Sequence, residues 1–184
     1  MNYFLKIDWE ERHLNWKKEQ TVPVGVLDVT DFDVNVDFMP YNFWSFKHRR
    51  KVLKYEIVLH MEMDLMVWCS GPWTGRTSDQ GIFNQKLRNV LAEKDERVVS
   101  DSGYKGAQVI TPLPRKRKLD SDEKYNNWQC HALSARLENL NGRFKKFLCL
   151  KHPWRHNIQN HKVVFYIILN LVQIGMQINP LRRR

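Results

Sequence analysis

Between Val22 and Val36 the chain alternates apolar and acidic residues, with V-L-D-V-T-D-F-D-V-N-V-D at its heart. Alternation of this kind is strand periodicity, because successive side chains in a strand point to opposite faces. Asp28 lies inside the most apolar part, V-G-V-L-D-V-T. Asp31 and Asp33 further along read as edge-strand acids facing solvent. Two other acids stand in distinctive settings: Asp101 in V-V-S-D-S-G-Y-K-G and Glu138 in R-L-E-N-L-N-G-R-F-K-K-F. The first reads as the end of a buried strand, the second as a position on a long basic helix. They lie 138 − 101 = 37 residues apart, so only folding can bring them together.

The acids are few against the background. The 184 residues carry 30 Lys and Arg against 20 Asp and Glu, a net charge of +10. That balance favours a polyanionic partner, either nucleic acid or an anionic membrane face. A hydrophobic content of 42% with 27% charged residues excludes a disordered chain, and the length suits one domain. The three cysteines, Cys69, Cys130 and Cys149, form no C-x-x-C pair, so neither a zinc knuckle nor a disulfide framework is indicated. Cys149, His152, His156 and His161 have the residue types of a zinc site, but their spacing fits no standard finger. The most apolar run, Val163 to Ile174, is twelve residues long, too short for a bilayer, and reads as a core element.

The remaining pattern predicts a helix over Asp8–Gln20, stopped by Pro23, and strands over Val52–Met61 and Leu65–Cys69 joined as an antiparallel hairpin. Gly71–Gly75 reads as a loop, and Ser78 as the cap of a helix reaching Leu91. Arg97–Ser100 and Ala107–Thr111 read as further strands, and 112–125 as an exposed basic linker. A long helix is expected from Asn127 to Leu148. Leu133, Leu137, Leu140, Phe144 and Phe147 form its buried stripe, and Ser134, Glu138, Asn141 and Lys145 a second, polar one. A last helix spans Asn160–Met176. Early antiparallel strands followed by β-α-β crossovers give an α/β fold, a mixed sheet with helices on both faces, with Asp28 and Asp101 on neighbouring strands.

The order of these stretches resembles the DDE superfamily endonucleases, the transposases of the PIF/Harbinger kind and the nucleases derived from them. G-V-L-D-V-T-D looks like the strand of the first aspartate, G-P-W-T-G-R-T-S-D-Q-G-I-F like the glycine loop and helix start, V-V-S-D-S-G-Y-K-G like the second aspartate motif, and A-R-L-E-N-L-N-G-R-F-K-K-F like the glutamate helix. The resemblance implies an RNase H-like domain over 22–181, with 1–21 as a short helical remnant. It implies a metal-binding, catalytic triad of Asp28, Asp101 and Glu138 holding two divalent ions, Mg²⁺ or Mn²⁺. Asp28 would bridge the ions, Asp101 and Glu138 would hold one each, and DNA phosphodiesters would be hydrolysed to leave a 3′-OH.

Val29 stands where the family commonly has Gly, and a branched side chain there is expected to crowd a backbone that must approach metal or DNA. The chain begins about 27 residues before Asp28, short of the helical region with a helix-turn-helix that family members usually carry; the expectation is a truncated copy without autonomous target recognition, for which a separate DNA-binding protein would be the partner. Cutting at paired ends favours a homodimer, and no membrane association is expected. Lys47, His48 and Arg49, with Arg143, Lys145 and Lys146 beside Glu138, are candidate DNA-backbone contacts. The run Arg115, Lys116, Arg117, Lys118 reads as a nuclear localisation signal, hence a nuclear protein. The alternative reading is a catalytically inactive, transposon-derived module that binds DNA or protein.

Overall fold

The computed structural model describes residues 7–13, 23–35, 40–114 and 118–181. Six strands and five helices are laid out in chain order as β1 (Gly25–Asp33), β2 (Trp44–Ser45), β3 (Arg50–His60), β4 (Met66–Thr74), α1 (Asp79–Gln85), α2 (Leu87–Glu93), β5 (Val98–Val99), β6 (Val109–Ile110), α3 (Ser121–Phe144), α4 (Leu148–Lys151) and α5 (Ile158–Ile178). Short 3₁₀ turns occupy Trp9–His13 and Tyr41–Phe43. The strands make one mixed sheet in the order β2-β3-β1-β5-β6, with β4 also on β3. β1 runs antiparallel to β3, from Gly25 opposite His60 to Asp33 opposite Val52, and parallel to β5. This is the α/β sheet, RNase H-like in its mixture of strand directions, that the sequence pattern predicts.

The alternation in β1 explains the layers. Val26 and Phe32 point to one face, where they pack with Leu53, Tyr55 and Ile57 of β3 against Leu137, Leu140 and Phe144 of α3 and Phe165 and Leu169 of α5. Leu27 points to the other face and meets Val58, Val67, Phe83, Leu87 and Leu91, so α1 and α2 close that side. The first cluster is an aromatic one. Phe165 stacks on Tyr55 with ring centroids 3.7 Å apart, and Phe32 and Phe144 approach it at 5.3 and 5.5 Å. Rings of this kind supply most of the buried apolar area per residue.

Several boundaries differ from the sequence reading. α3 starts six residues earlier than expected, at Ser121 rather than Asn127, because Asp120 and Glu123 form a reciprocal capping box. The last part of the basic linker is therefore helix. Arg115, Lys116 and Arg117 lie outside the described residues, as do 14–20 of the expected N-terminal helix; Lys118 is exposed. Gly71–Thr74 is not a loop but the second half of β4, which accommodates register shifts against β3. The helix after Ser78 is two helices broken at Lys86, whose φ of −145° is not helical; the Ser78 cap itself is present, accepting from Gly81 N–H. α5 is longer than the apolar run suggested. Its 21 residues are enough to cross a membrane by length and composition, yet Phe165, Leu169, Val172 and Met176 bury one face of it in the sheet-side core.

Two buried ionisable groups shape the pH dependence of this fold. His161, fully buried, has Nδ1 2.9 Å from the Tyr55 hydroxyl, and burial pulls its pKa down to about 4. It is a core histidine packed among Phe32, Tyr55 and Trp154, and no zinc-type group forms around it among the described residues. Glu56, also fully buried, accepts from Trp68 Nε1 at 2.8 Å while its Oε1 has no partner; burial pushes its pKa up to about 7.

A raised carboxyl pKa means that the unfolded chain loses its proton first as pH rises. The penalty on the fold therefore builds between the unfolded value of 4.5 and about 7, and is complete above that. Glu56→Gln removes it. In urea titrations its stability relative to wild type should increase by up to roughly 3 kcal/mol between pH 4.5 and pH 8. A relative stability that stays flat across this range would show that Glu56 is not a buried ionisable group.

Candidate active site

β1 brings Asp28 to the edge where the sheet meets α3. Its side chain shares the face of Val26 and Phe32, whereas Val29 is buried on the opposite face and does not crowd it. The Val29 N–H instead donates to Asp28 Oδ1 at 2.8 Å. The parallel register pairs Gly25 with Val98 and Val26 with Val99, and Asp101 follows two residues after β5 ends, near enough for its charge to act on Asp28. Burial is the main cause that pushes the Asp28 pKa up to about 6; the Val29 N–H opposes it, and the charges of Asp101 and Asp79 add to it. Asp28 is thus a partly desolvated carboxylate with a second carboxylate at its side, an arrangement that disfavours its ionised form.

Asp101 sits just past β5 and is exposed. Its Oδ1 accepts from the Gly103 N–H at 2.9 Å, so it caps the turn as well as flanking Asp28. A Cβ on Gly103 would stand 3.0 Å from that oxygen, tighter than ordinary contact, which suits the position to glycine.

Glu138 is exposed on α3 and makes no hydrogen bond or ion pair with the described residues. Among those residues no three His, Cys, Asp or Glu side chains stand close enough to hold a metal ion between them. Asp28 and Asp101 lie near enough for one charge to act on the other; the expected convergence of all three acids is not seen. The physical reason is packing: buried Leu137, Leu140 and Phe144 fix how α3 lies on the sheet, and that leaves Glu138 in solvent. The residue of α3 that does reach Asp28 is Asn141, three residues after Glu138 on the same polar stripe, with Nδ2 3.5 Å from Asp28 Oδ2. The stripe was legible in the sequence, but which of its members meets β1 depends on how far α3 slides along the sheet.

The other acids of β1 are not the solvent-facing edge residues expected, because β1 lies between β3 and β5. Asp31 pairs with His48 at 2.7 Å and Asp33 with Arg50 at 2.7 Å. Lys54, almost fully buried, pairs with Asp79 at 2.8 Å and donates to the Thr77 carbonyl. Asp79, at the start of α1, thus serves structure. The basic turn before β3 is therefore divided in role. His48 is engaged by Asp31, while Lys47, with Asp79 at 4.0 Å, and Arg49 remain largely in solvent. Near Glu138, Arg143 donates to the Pro180 carbonyl at 2.9 Å and ties α3 to the end of α5, whereas Lys145 and Lys146 are exposed.

The family described as DDE superfamily endonuclease matches residues 33–173, a stretch that contains Asp101 and Glu138 and begins past Asp28. The chain belongs to that family. Among curated proteins it is 29% identical over 139 residues to "Probable transposase for insertion sequence element IS702" of Microchaete diplosiphon, a match covering 71% of this chain and 49% of that protein. The chain thus spans about half the length of this relative. No solved structure matches it.

The electrostatics of Asp28 make a prediction about stability. Asp28→Asn keeps the size and the Val29 contact but removes a charge that burial and Asp101 oppose. In metal-free buffer at pH 8 it should stabilise the fold by up to about 3 kcal/mol, seen as a higher melting temperature. Asp101→Asn, exposed and already capped by Gly103, should change it much less. A destabilised Asp28→Asn protein would contradict this placement.

Proposed function

We propose that this member of the DDE superfamily endonucleases is a transposase-type nuclease that hydrolyses DNA phosphodiesters with two divalent cations, Mg²⁺ or Mn²⁺, held by Asp28, Asp101 and Glu138. The observation that carries the reading is a partly buried Asp28 inside β1 with Asp101, just past β5, near enough for its charge to add to the burial that raises the Asp28 pKa to about 6. A protein gains nothing in stability from two such carboxylates side by side; a hard cation relieves both costs.

The residues present fit such a group. Asp28 and Asp101 offer neighbouring carboxylates, and Glu138 projects from α3 one turn from the side chain that meets Asp28. Bound divalent cations supply charge neutralisation on the phosphate and a nucleophilic water at neutral pH. The chain's own contribution is positioning. The Val29 N–H orients the Asp28 carboxylate and the Gly103 N–H orients that of Asp101. The capping box at Asp120 and the buried Leu137, Leu140 and Phe144 fix α3, and with it the height of Glu138 above the sheet. Lys47, Arg49, Lys145 and Lys146 take the DNA backbone, the role their exposure leaves open. Target recognition by a separate protein, action as a homodimer and nuclear import through the run ending at Lys118 belong to the same proposal.

A second reading, an inactive DNA-binding module, is favoured by the outward position of Glu138. Nicking of supercoiled plasmid separates the two. Wild type should nick in Mg²⁺ or Mn²⁺, and Asp101→Asn and Glu138→Gln should each lose at least a hundredfold in rate. Plasmid binding without nicking at any Mg²⁺ or Mn²⁺ concentration would establish the inactive module. Replacing Lys145 and Lys146 together by Ala should weaken DNA binding regardless of sequence. It should also reduce the slope of log K against log salt by about 1.8, roughly 0.9 for each phosphate that is no longer neutralised. An unchanged slope would remove these two lysines from the interface.

A further inference from the structure

Asn141 differs from Asn127 and Asn139 of α3, whose amides are anchored, and from Asn126, which is exposed. Asn127 satisfies both ends of its amide on one residue, accepting from the Leu113 N–H at 2.7 Å and donating to the Leu113 carbonyl at 3.1 Å. Asn139 donates back to the Ala135 carbonyl of its own helix at 3.0 Å. Asn141 has neither kind of anchor. Its Nδ2 stands 3.5 Å from Asp28 Oδ2, the long limit of a hydrogen bond, and its Oδ1 is buried with no partner among the described residues. A buried amide oxygen left unpaired costs about 1–3 kcal/mol, so a purely structural role explains this side chain poorly.

Hard divalent cations accept amide carbonyl oxygens alongside carboxylates. The two ends of an Asn amide exchange places by a half-turn about the last side-chain torsion. We infer that Asn141 belongs to the cation site: its amide turns so that Oδ1 replaces Nδ2 beside Asp28 and supplies a neutral oxygen ligand to the cation that Asp28 holds. The inference rests on the cation-site reading of Asp28 and Asp101 and adds a member to it. A neutral donor suits this position, because it adds a ligand oxygen without adding another negative charge beside two carboxylates. It also places a ligand from α3 at the site in addition to Glu138.

The test is Mn²⁺ binding to the full chain by isothermal titration calorimetry, with melting temperatures measured in the metal-free state. The variants are Asn141→Leu, Asn141→Ala, Asn141→Asp and Asp28→Asn. Asn141→Leu, of similar size and without an oxygen, should weaken Mn²⁺ binding at least tenfold, and Asn141→Ala should do the same should Asn141→Leu not fold. Asn141→Asp should melt lower than wild type without metal, since it adds a carboxylate beside Asp28, yet bind Mn²⁺ at least as tightly. A packing role would change melting temperatures and leave Mn²⁺ affinity alone. Wild-type affinity in Asn141→Leu or Asn141→Ala, with binding lost in Asp28→Asn, overturns this inference and leaves the cation site standing. Wild-type affinity in Asp28→Asn overturns the cation site itself, and the inference with it.

Discussion

The position of β1 in the sheet is the constraint from which the site follows. β1 is held antiparallel by β3 along its whole length and parallel by β5 at its start. The parallel pairing starts β1 and β5 side by side, and the chain that leaves β5 brings the charge of Asp101 to Asp28, residues that are 101 − 28 = 73 apart in the chain. The same pairing leaves both faces of β1 covered, one by α3 and α5 and the other by α1 and α2. An acid on a strand covered in this way must either find a cation or bear the cost of burial.

The acids of β1 divide along that line. Asp31 and Asp33 have found His48 and Arg50, and Asp79 on the same side has found Lys54. Among the described residues Asp28 has no cationic partner within ion-pair distance; its near neighbours are a backbone N–H, the amide of Asn141 and the charge of Asp101. Asp31, Asp33 and Asp79 are therefore each engaged by a basic side chain, although burial still raises the Asp31 pKa. Asp28 has no such partner, and the charges of Asp101 and Asp79 on it outweigh that of Lys47. This contrast between otherwise similar aspartates on one strand is the physical content of the functional reading.

Much of this was legible in the sequence, and the rest fails for identifiable reasons. Strand alternation gave β1, β3 and the neighbourhood of Asp28 and Asp101, because apolar periodicity and the β-α-β order constrain pairing. The Leu133–Phe147 stripe gave the buried face of α3. The start of that helix was hidden because Asp120 and Glu123 sit in a charged run that reads as linker, although together they make a capping box. Asp31 and Asp33 were misplaced because a strand's position within its sheet is a long-range property that its own alternation does not encode. Asn141 was visible as a member of a polar stripe, but only the packed height of α3 singles it out over Glu138 as the side chain that meets Asp28.

The central claim is that Asp28 and Asp101 form one half of a cation site. Anomalous diffraction from crystals soaked in Mn²⁺ tests it most directly. The account predicts a manganese peak within coordination distance of both carboxylates, on the side of β1 that faces α3. A manganese peak confined to the Asp31 and Asp79 side of the sheet, or none near Asp28 in well-ordered crystals, would contradict it.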